Sequence, residues 1–271
     1  MEHVRITSTS NPRIKEAVRI RERKDAGSRD AFVIEGRRIV EMALGAGAGV
    51  REAFFTDQFI AKKEGRDIVR LLAGNGAEII EVAGHVLARL ADTETPQGIV
   101  AVVSHFSSSL DKLPSNDNPL YVLVDGIQDP GNLGTIIRTS DAAGADAVIL
   151  LPGTCDAFMP KTIRATAGSI FNIPVVPAEA EDILKRLRDR NIAIAVTAAD
   201  ADRSVFEAEL SRPLAFVFGN EGRGVSGQIR ESANLFLKIP LYGKAESLNV
   251  ATSAAICLYE AARQRKTKRI N

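Results

Sequence analysis

The hydrophobic pattern of the carboxy-terminal half predicts a sheet. Short apolar runs rich in Val, Ile, Leu, Ala and Phe recur at residues 121–124, 147–151, 173–176, 192–196, 214–218 and 235–239. Continuous runs of this length are typical of strands that are covered on both faces. Amphipathic stretches that predict helices lie around residues 133–143, 180–190 and 248–263. This arrangement indicates an α/β fold, with a mostly parallel sheet and helices on both of its faces.

The amino-terminal half predicts a second, smaller α/β domain. Strand-like runs near residues 52–56, 77–81 and 98–103 alternate with helical patterns near residues 14–24, 37–44 and 57–72. A segment rich in Ser, Asn, Asp and Pro separates the two halves, as a linker does. The predicted organisation is therefore a domain over residues 1–104, a linker over 105–119 and a domain over 120–271.

Composition and charge narrow the possible partners. The chain has 271 residues, and its 35 basic against 34 acidic residues leave a net charge of +1, so polyanion binding must come from local patches. Cys155 and Cys257 lie far apart and have no metal-binding or redox spacing, which is typical of a reducing cytosol. No apolar stretch reaches the roughly 20 residues of a membrane span, and the first residues lack a signal-peptide core. We expect a soluble cytoplasmic protein without membrane association.

Several classes of chemistry lose support. All three histidines precede or lie in the linker, so the carboxy-terminal domain has no imidazole for a base or for metal binding. The sequence also lacks a Walker phosphate loop, a His-Glu-x-x-His helix and a Gly-x-Ser-x-Gly elbow. Kinases, zinc proteases and α/β-hydrolases are therefore disfavoured, and no metal is expected. A dinucleotide oxidoreductase is also disfavoured, because no Gly-x-Gly-x-x-Gly follows a strand.

Three turn-rich polar segments follow or end the predicted strands. They are Asp125–Gly134, Phe218–Gly224, and Ile239–Leu241 running into Ser247–Asn249. Strands that stop at Gly, Asn and Pro place loops at one edge of a sheet, where α/β proteins bind ligands. The three segments together suggest one composite pocket.

Each segment alone also has an ordinary structural explanation. Residues 129–134 form a turn into a helix that Asn132 can cap, and Arg138 follows about one and a half turns later. Arg138 is then either a solvated charge or an anion contact. Residues 219–224 fit a flexible glycine loop, and Ser247–Asn249 fits a helix cap.

Taken together, the three segments resemble the three motifs of the SpoU/TrmH branch of the SPOUT RNA methyltransferases. The polar residues that match are Asn132 and Arg138 in the first motif, Asn220, Glu221 and Gly222 in the second, and Ser247 and Asn249 in the third. The resemblance covers residues 120–265. Residues 10–15, 32–37 and 95–98 are similar to that family's substrate-binding domain, although these motifs are less specific.

The resemblance implies methyl transfer from S-adenosyl-L-methionine to a ribose 2′-hydroxyl of RNA, a catalytic domain with a deep trefoil knot, and a homodimer. It implies that Gly219, Ile239 and Leu248 bind the cofactor, with Asn220 and Gly222 beside them and Thr197 and Ala198 as weaker candidates. It also implies that Arg138 of one subunit completes the site of the other.

The implied catalytic cluster consists of Asn132, Arg138, Glu221, Ser247 and Asn249. Methyl transfer is largely a matter of positioning, but the hydroxyl proton must be removed. An arginine at the position of Arg138 has been proposed as the base, although a guanidinium rarely gives up its proton. Two roles stay open for Arg138: it is deprotonated in the assembled site, or it binds a phosphate while Glu221 or solvent accepts the proton.

Basic residues near the amino terminus are candidates for RNA binding. We expect phosphate contacts from Arg13, Lys15, Arg19, Arg23 and Arg37, and a solvated basic face is the ordinary alternative. The basic residues at 263–269 are either a further contact or a solubilising tail. By analogy with the family, 23S ribosomal RNA is the expected substrate. The alternatives are transfer RNA as substrate, and a non-catalytic RNA-binding assembly factor on the same scaffold.

Overall fold

The computed structural model describes residues 4–22, 30–106, 108–114, 116–198 and 200–268, without the side chains of 267 and 268. The chain divides into two compact units: Met1–Phe106 with Phe158–Phe171, and Ser107–Ala157 with Asn172–Asn271. The sequence did not predict that residues 158–171 group with the first unit, and the domain bounds at 104 and 120 stay a prediction. None of the described helices is both long and apolar enough to cross a membrane.

The described strands and helices follow one another along the chain. In order they are β1 (Val4–Ile6), α1 (Pro12–Glu22), β2 (Ala31–Glu35), α2 (Arg37–Gly45), β3 (Val50–Phe55), α3 (Asp57–Ala61), α4 (Lys63–Gly74), β4 (Glu78–Val82), α5 (Gly84–Leu90), β5 (Ile99–Ser104), β6 (Leu120–Asp125), α6 (Pro130–Ala143), β7 (Ala147–Leu150), α7 (Pro160–Thr166), β8 (Val175–Pro177), α8 (Ala180–Asp189), β9 (Ala193–Thr197), β10 (Arg203–Ser204), β11 (Leu214–Gly219), α9 (Gly227–Ser232), β12 (Leu235–Lys238) and α10 (Val250–Lys268).

The long predicted elements are confirmed with small shifts at their ends. One correction concerns the helix expected over residues 57–72. It is two helices, α3 and α4, because the backbone of Lys62 between them is extended at φ −85° and ψ 146°. The Thr56 hydroxyl caps α3 by accepting a hydrogen bond from the Phe59 amide.

The first unit holds a five-stranded sheet in the order β1-β4-β3-β5-β2. β1, β4 and β3 are parallel, and β5 runs antiparallel to both of its neighbours. Its core includes Ile14 and Val18 of α1 and Leu87 of α5, which pack with Phe54 and Ile80 of the sheet. The basic helix α1 therefore buries its apolar face and exposes its polar face, as an amphipathic surface helix does.

The second unit holds a seven-stranded sheet in the order β10-β12-β9-β11-β6-β7-β8, and all of its described pairings are parallel. Tyr121 and Leu123 of β6 belong to the core that includes Ile183 of α8. Successive strand residues point to opposite faces, so Val122 and Val124, also fully buried, face the other way. α6 and α10 pack against each other and contact β7 and β11. The predicted parallel, helix-covered sheet is confirmed.

The strand order places two of the three polar segments side by side. β6 lies between β7 and β11, so the chain leaves β6 towards one half of the sheet and later returns beside it as β11. Gly219 at the end of β11 is paired with Asp125 at the end of β6. Such a switch point at the carboxyl edge of a parallel sheet opens a crevice between the two following loops.

Candidate active site

One residue from each of the three polar segments joins a single hydrogen-bonded cluster. The Asn132 side-chain amide donates to Glu221 Oε1 at 2.5 Å. Asn249 Nδ2 donates to Asn132 Oδ1 at 3.0 Å. Because each side of the Asn132 amide has one partner, the two hydrogen bonds fix its orientation. The composite arrangement expected from the sequence is therefore present.

The predicted capping role of Asn132 is wrong. Asp129 is the N-cap residue of α6, and its carboxylate accepts a hydrogen bond from the Asn132 backbone amide at 2.8 Å. A carboxylate suits this place, because it satisfies an unpaired amide and meets the positive end of the helix dipole. The Asn132 side chain consequently points to Glu221 and Asn249 instead of to its own helix.

Asn220 organises the second segment. Its Nδ2 donates to the Gly126 carbonyl at 2.9 Å, and its Oδ1 accepts from the amides of Gly222 at 2.9 Å and Arg223 at 3.1 Å. Gly219 sits where the loop closes on itself, and a Cβ there would lie 2.4 Å from the Gly224 carbonyl carbon. Only glycine fits that approach, so any side chain would force the loop open.

Asp125 supports the site, and the sequence reasoning missed it. Its carboxylate is buried at 8% exposure and accepts a hydrogen bond from the Ser226 amide at 2.6 Å. This bond ties the end of β6 to the far side of the second segment. The signal was present in the sequence, because a carboxylate that ends a wholly apolar strand must find a hydrogen-bond partner.

A cavity of about 540 Å³ lies beside this cluster at the ends of β9 and β12. Four predicted cofactor residues line it, namely Thr197, Ala198, Ile239 and Leu248. Pro240 and Leu241, from the third predicted segment, also line it, whereas Leu237, Lys238, Glu246 and Ser253 were not predicted. The volume lies within the range of about 300–1,000 Å³ that is common for small-ligand sites, and the walls mix apolar surface with hydroxyl groups.

The remaining predicted site residues take different positions. Ser247 lines the cavity, whereas Gly219, Asn220 and Gly222 are not among its lining residues. Gly219 ends β11, which lies directly beside β9 in the sheet. Arg138 is exposed on α6 and has no hydrogen bond or ion pair with a described residue. The structure thus brings Asn132, Glu221 and Asn249 together, and it leaves Arg138 outside their hydrogen bonds.

The two thiols are poor nucleophiles. Burial, reinforced by the negative charges of Asp129 and Asp156, raises the pKa of Cys155 to about 11. Burial alone raises the pKa of Cys257 to about 12. A thiol needs a lowered pKa to attack at neutral pH, so neither residue fits covalent catalysis.

The described part of the chain contains no group of three His, Cys, Asp or Glu side chains that could hold a metal ion.

Most of the basic residues predicted to bind RNA have acidic neighbours. Arg13 pairs with Glu78, Arg19 with Glu16 at 2.6 Å, and Arg37 with Glu41 at 3.6 Å. The hydrogen bond to Glu78 raises the pKa of Arg13. Lys15 is exposed, and Arg23 lies outside the described residues.

The basic carboxy-terminal segment is part of α10 up to Lys268. Arg265 donates hydrogen bonds to the carbonyls of Asn118, Pro119, Leu210 and Arg212. Its guanidinium therefore has a structural role, and residues 269–271 lie outside the described part.

Fold and site together define an α/β protein with a composite pocket for group transfer at the carboxyl edge of a parallel sheet. The family comparison is more specific: residues 119–259 match the SpoU rRNA methylase family, and residues 11–101 match an MRM3-like substrate-binding domain. The chain belongs to the SpoU rRNA methylase family, as the motifs predicted.

Named relatives cover nearly the whole chain. The 23S rRNA (guanosine(2553)-2'-O)-methyltransferase RlmP of Bacillus subtilis is 37% identical over 94% of this chain and 97% of its own length. The 23S rRNA (uridine(2479)-2'-O)-methyltransferase of Streptomyces viridochromogenes is 34% identical, over 86% of this chain and 83% of its own length. The AdoMet-bound rRNA methyltransferase of Sinorhizobium meliloti superposes with a TM-score of 0.86 at 31% identity, covering 96% of this chain and 97% of that structure.

Proposed function

We propose that this protein transfers the methyl group of S-adenosyl-L-methionine to a ribose 2′-hydroxyl of 23S ribosomal RNA. The observation that carries the proposal is the cavity of about 540 Å³ beside the Asn132–Glu221–Asn249 cluster. Family membership and the names of the relatives support the reaction and the substrate. We place the reaction in the cytoplasm and expect it to need neither a metal ion nor a membrane.

The cavity fits the methyl donor. Ile239 and Leu248 offer apolar walls to the adenine and ribose, and Thr197 and Ser247 offer hydroxyl groups. Gly219, Asn220 and Gly222 would add main-chain polar groups from the end of β11. When it is bound, S-adenosyl-L-methionine supplies an activated methyl group on its sulfonium.

The polar cluster would hold the ribose and remove its proton. Glu221 accepts from Asn132 through Oε1, and Oε2 has no partner among the described residues. Arg138 is exposed and without a described partner, so its guanidinium is available for an RNA phosphate. We assign Asn132 and Asn249 to positioning the catalytic loops.

We also propose a homodimer in which Arg138 enters the partner's site. Arg138 lies on α6, and α6 packs against α10. α10 exposes Tyr259 at 55% and leaves Ile256 only half-buried. A partly apolar surface on one of two packed helices, with an unpaired arginine on the other, suits a subunit interface. Sedimentation at working concentrations tests this proposal, and a monomer with full activity would contradict it.

Cofactor binding and methyl transfer test the proposal together. Titration calorimetry should detect binding of S-adenosyl-L-methionine. Leu248→Asp should weaken this binding at least tenfold, because the bound cofactor would bury a carboxylate in place of an apolar side chain. Arg138→Ala should bind the cofactor like the parent but lose RNA methylation, with the exposed Arg188→Ala of α8 as a matched control. No measurable cofactor binding by the parent would overturn the proposal.

The rate of a single variant tests whether Glu221 is the proton acceptor. General base catalysis contributes about a hundredfold or more to a rate. If Glu221 takes the proton, Glu221→Gln lowers kcat by that order and still binds the cofactor like the parent. A parent-like kcat in Glu221→Gln would leave the proton to Arg138 or to solvent.

A further inference from the structure

The loop between β12 and α10 leaves the cavity wall and returns to it. Ile239, Pro240 and Leu241 line the cavity, and the chain reaches its wall again at Glu246 and Ser247. Tyr242, Gly243, Lys244 and Ala245 span the gap, and all four are exposed. Tyr242 follows directly on a residue of the wall, so its backbone borders the cavity and its exposed side chain belongs to the loop at the cavity mouth.

Tyr242 is unusually exposed to solvent for an aromatic residue. It is 92% exposed, the highest value among the large apolar side chains that the structure describes, compared with 55% for Tyr259. Neither its ring nor its hydroxyl has a partner among the described residues. A single exposed apolar residue is ordinary in itself, so its meaning depends on its position. Here the position is the entrance to the cavity proposed for the methyl donor.

The residues around Tyr242 fit a nucleotide. Lys244 is exposed in the same loop, and Lys238 lines the cavity at the end of β12. An aromatic face flanked by cations is the pattern with which proteins hold unpaired bases and their phosphates. Glu246 is the only acidic side chain of this loop. Counting Lys238 of β12 with the loop, two lysines stand against one glutamate and leave a single positive charge.

RNA offers such a surface something to bind. A ribose hydroxyl must approach the methyl donor in line, and proteins that recognise an RNA sequence usually do so at loops or bulges whose bases are unstacked. Unstacking exposes a base, and proteins compensate by stacking it on an aromatic side chain. An aromatic ring at the cavity mouth lies where that base would emerge.

We propose that Tyr242 is the platform on which a base of the RNA stacks, either that of the methylated nucleotide or that of its neighbour. The inference rests on the proposed function and adds to it a positioning residue that binds substrate. The phenol hydroxyl is not needed for this role, whereas a planar aromatic face is.

Three substitutions separate an aromatic platform from other roles. Stacking contributes about 1–3 kcal/mol per base, which corresponds to a loss of about 5- to 150-fold in kcat/KM for RNA. Tyr242→Phe should keep the activity of the parent, whereas Tyr242→Leu and Tyr242→Ala should both lose it. All three should bind S-adenosyl-L-methionine like the parent in calorimetry. Leu71→Ala, an exposed apolar position on α4, is the control for simple loss of apolar surface.

A spectroscopic test needs no turnover. The chain has no tryptophan, so Tyr242→Trp carries a single indole at the cavity mouth. Short single-stranded RNA oligonucleotides should quench its fluorescence at saturation, and an abasic ribose-phosphate oligomer of equal length should not. Leu71→Trp should show no such difference. Equal quenching by both oligomers would overturn the stacking role.

The other outcomes are equally definite. If Tyr242→Leu retains full activity, residue 242 serves only as apolar surface. If Tyr242→Ala also changes the oligomeric state in sedimentation, that surface belongs to a protein contact. Either result overturns the proposal. If the parent methylates no RNA, the proposed function itself fails. A parent that methylates RNA, together with an unaffected Tyr242→Ala, refutes only the platform.

Discussion

Asn249 uses both halves of its side-chain amide. Its Oδ1 accepts hydrogen bonds from the backbone amides of Ala251 at 2.9 Å and Thr252 at 3.3 Å and so caps α10. Its Nδ2 donates to Asn132. One residue therefore sets the start of a long helix and the orientation of a site residue, and a substitution can separate these two tasks.

We predict that Asn249→Asp and Asn249→Ala differ in stability but lose methyl-transfer activity to the same extent. Aspartate keeps the capping acceptor, so Asn249→Asp should unfold in urea like the parent, whereas Asn249→Ala should lose about 1 kcal/mol. Both lose the donor to Asn132, and methyl transfer should fall at least tenfold in each. Parent-like rates in Asn249→Asp would contradict this account of the cluster.

Cys155 offers a test of the local charge. Because its pKa is raised to about 11, we predict slow alkylation by iodoacetamide at neutral pH and a steep increase as the pH approaches that value. Mass spectrometry after timed quenching measures it, with glutathione as the reference thiol. Alkylation at neutral pH as fast as that of glutathione would show that the thiol is neither buried nor surrounded by negative charge.

The capping error shows the limit of sequence reasoning at this scale. Asp129 and Asn132 are both good caps, and a turn before a helix fits either one. Only the hydrogen bonds distinguish them, because the side-chain orientation of Asn132 depends on Glu221 and Asn249, which are distant in sequence. The motif residues could be found from their order, but their contacts could not.

The long carboxy-terminal helix is held at its last turns by Arg265. Its four carbonyl partners belong to residues 118–119 and to the segment before β11. The fork of the guanidinium reaches carbonyls on two segments, which an ammonium group cannot do. We predict that Arg265→Lys lowers the free energy of unfolding by about 2 kcal/mol in urea titrations. Arg263→Lys, whose side chain is 65% exposed, should change it little. Equal effects of the two substitutions would contradict this anchor.

Glu260 adds a pH dependence to the same helix. Hydrogen bonds from Arg263, and also from Gln264, lower the pKa of Glu260 below its ordinary value of 4.5. A carboxyl with a lowered native pKa contributes stability above its unfolded pKa, and that contribution disappears as the pH falls through the native pKa. We predict that Glu260→Gln is less stable than the parent near neutral pH and that the difference shrinks on acidification. A difference independent of pH would contradict the assignment.

Most of the long apolar runs were predicted as strands, and several short elements were missed. Apolar runs such as 121–124 and 214–218 are long enough to show that a strand is buried on both faces. β1, β10, α7 and α9 contain two to seven residues, which is too short for a period to emerge. Their formation depends on neighbours, as for β10, which pairs with β12.

At the scale of the molecule, the sequence predicted the fold class and the family but not every grouping. Residues 158–171 follow β7 in the chain and yet group with the amino-terminal unit. Phe158 and Phe171 pack there around Phe32. Contacts between residues more than a hundred positions apart leave no local pattern in the sequence, so this grouping could not be predicted. The trefoil knot likewise stays a prediction of the family resemblance.

Net charge limits how RNA can be captured. At +1 the whole-molecule field is weak, and Arg13, Arg19 and Arg37 have acidic neighbours. We therefore propose that RNA binding exchanges these ion pairs for phosphates and uses cations such as Lys15, and we predict that the affinity for RNA falls steeply as the salt concentration increases.

The central claim is that this chain methylates a ribose 2′-hydroxyl of 23S ribosomal RNA. The direct test maps 2′-O-methyl groups across ribosomal and transfer RNA from cells with the gene, without it, and with Arg138→Ala in its place. We predict that one site in 23S RNA is modified in cells with the parent gene or with the Arg188→Ala control, and unmodified in cells without the gene or with Arg138→Ala. A difference confined to transfer RNA, or no difference at all, would contradict the claim.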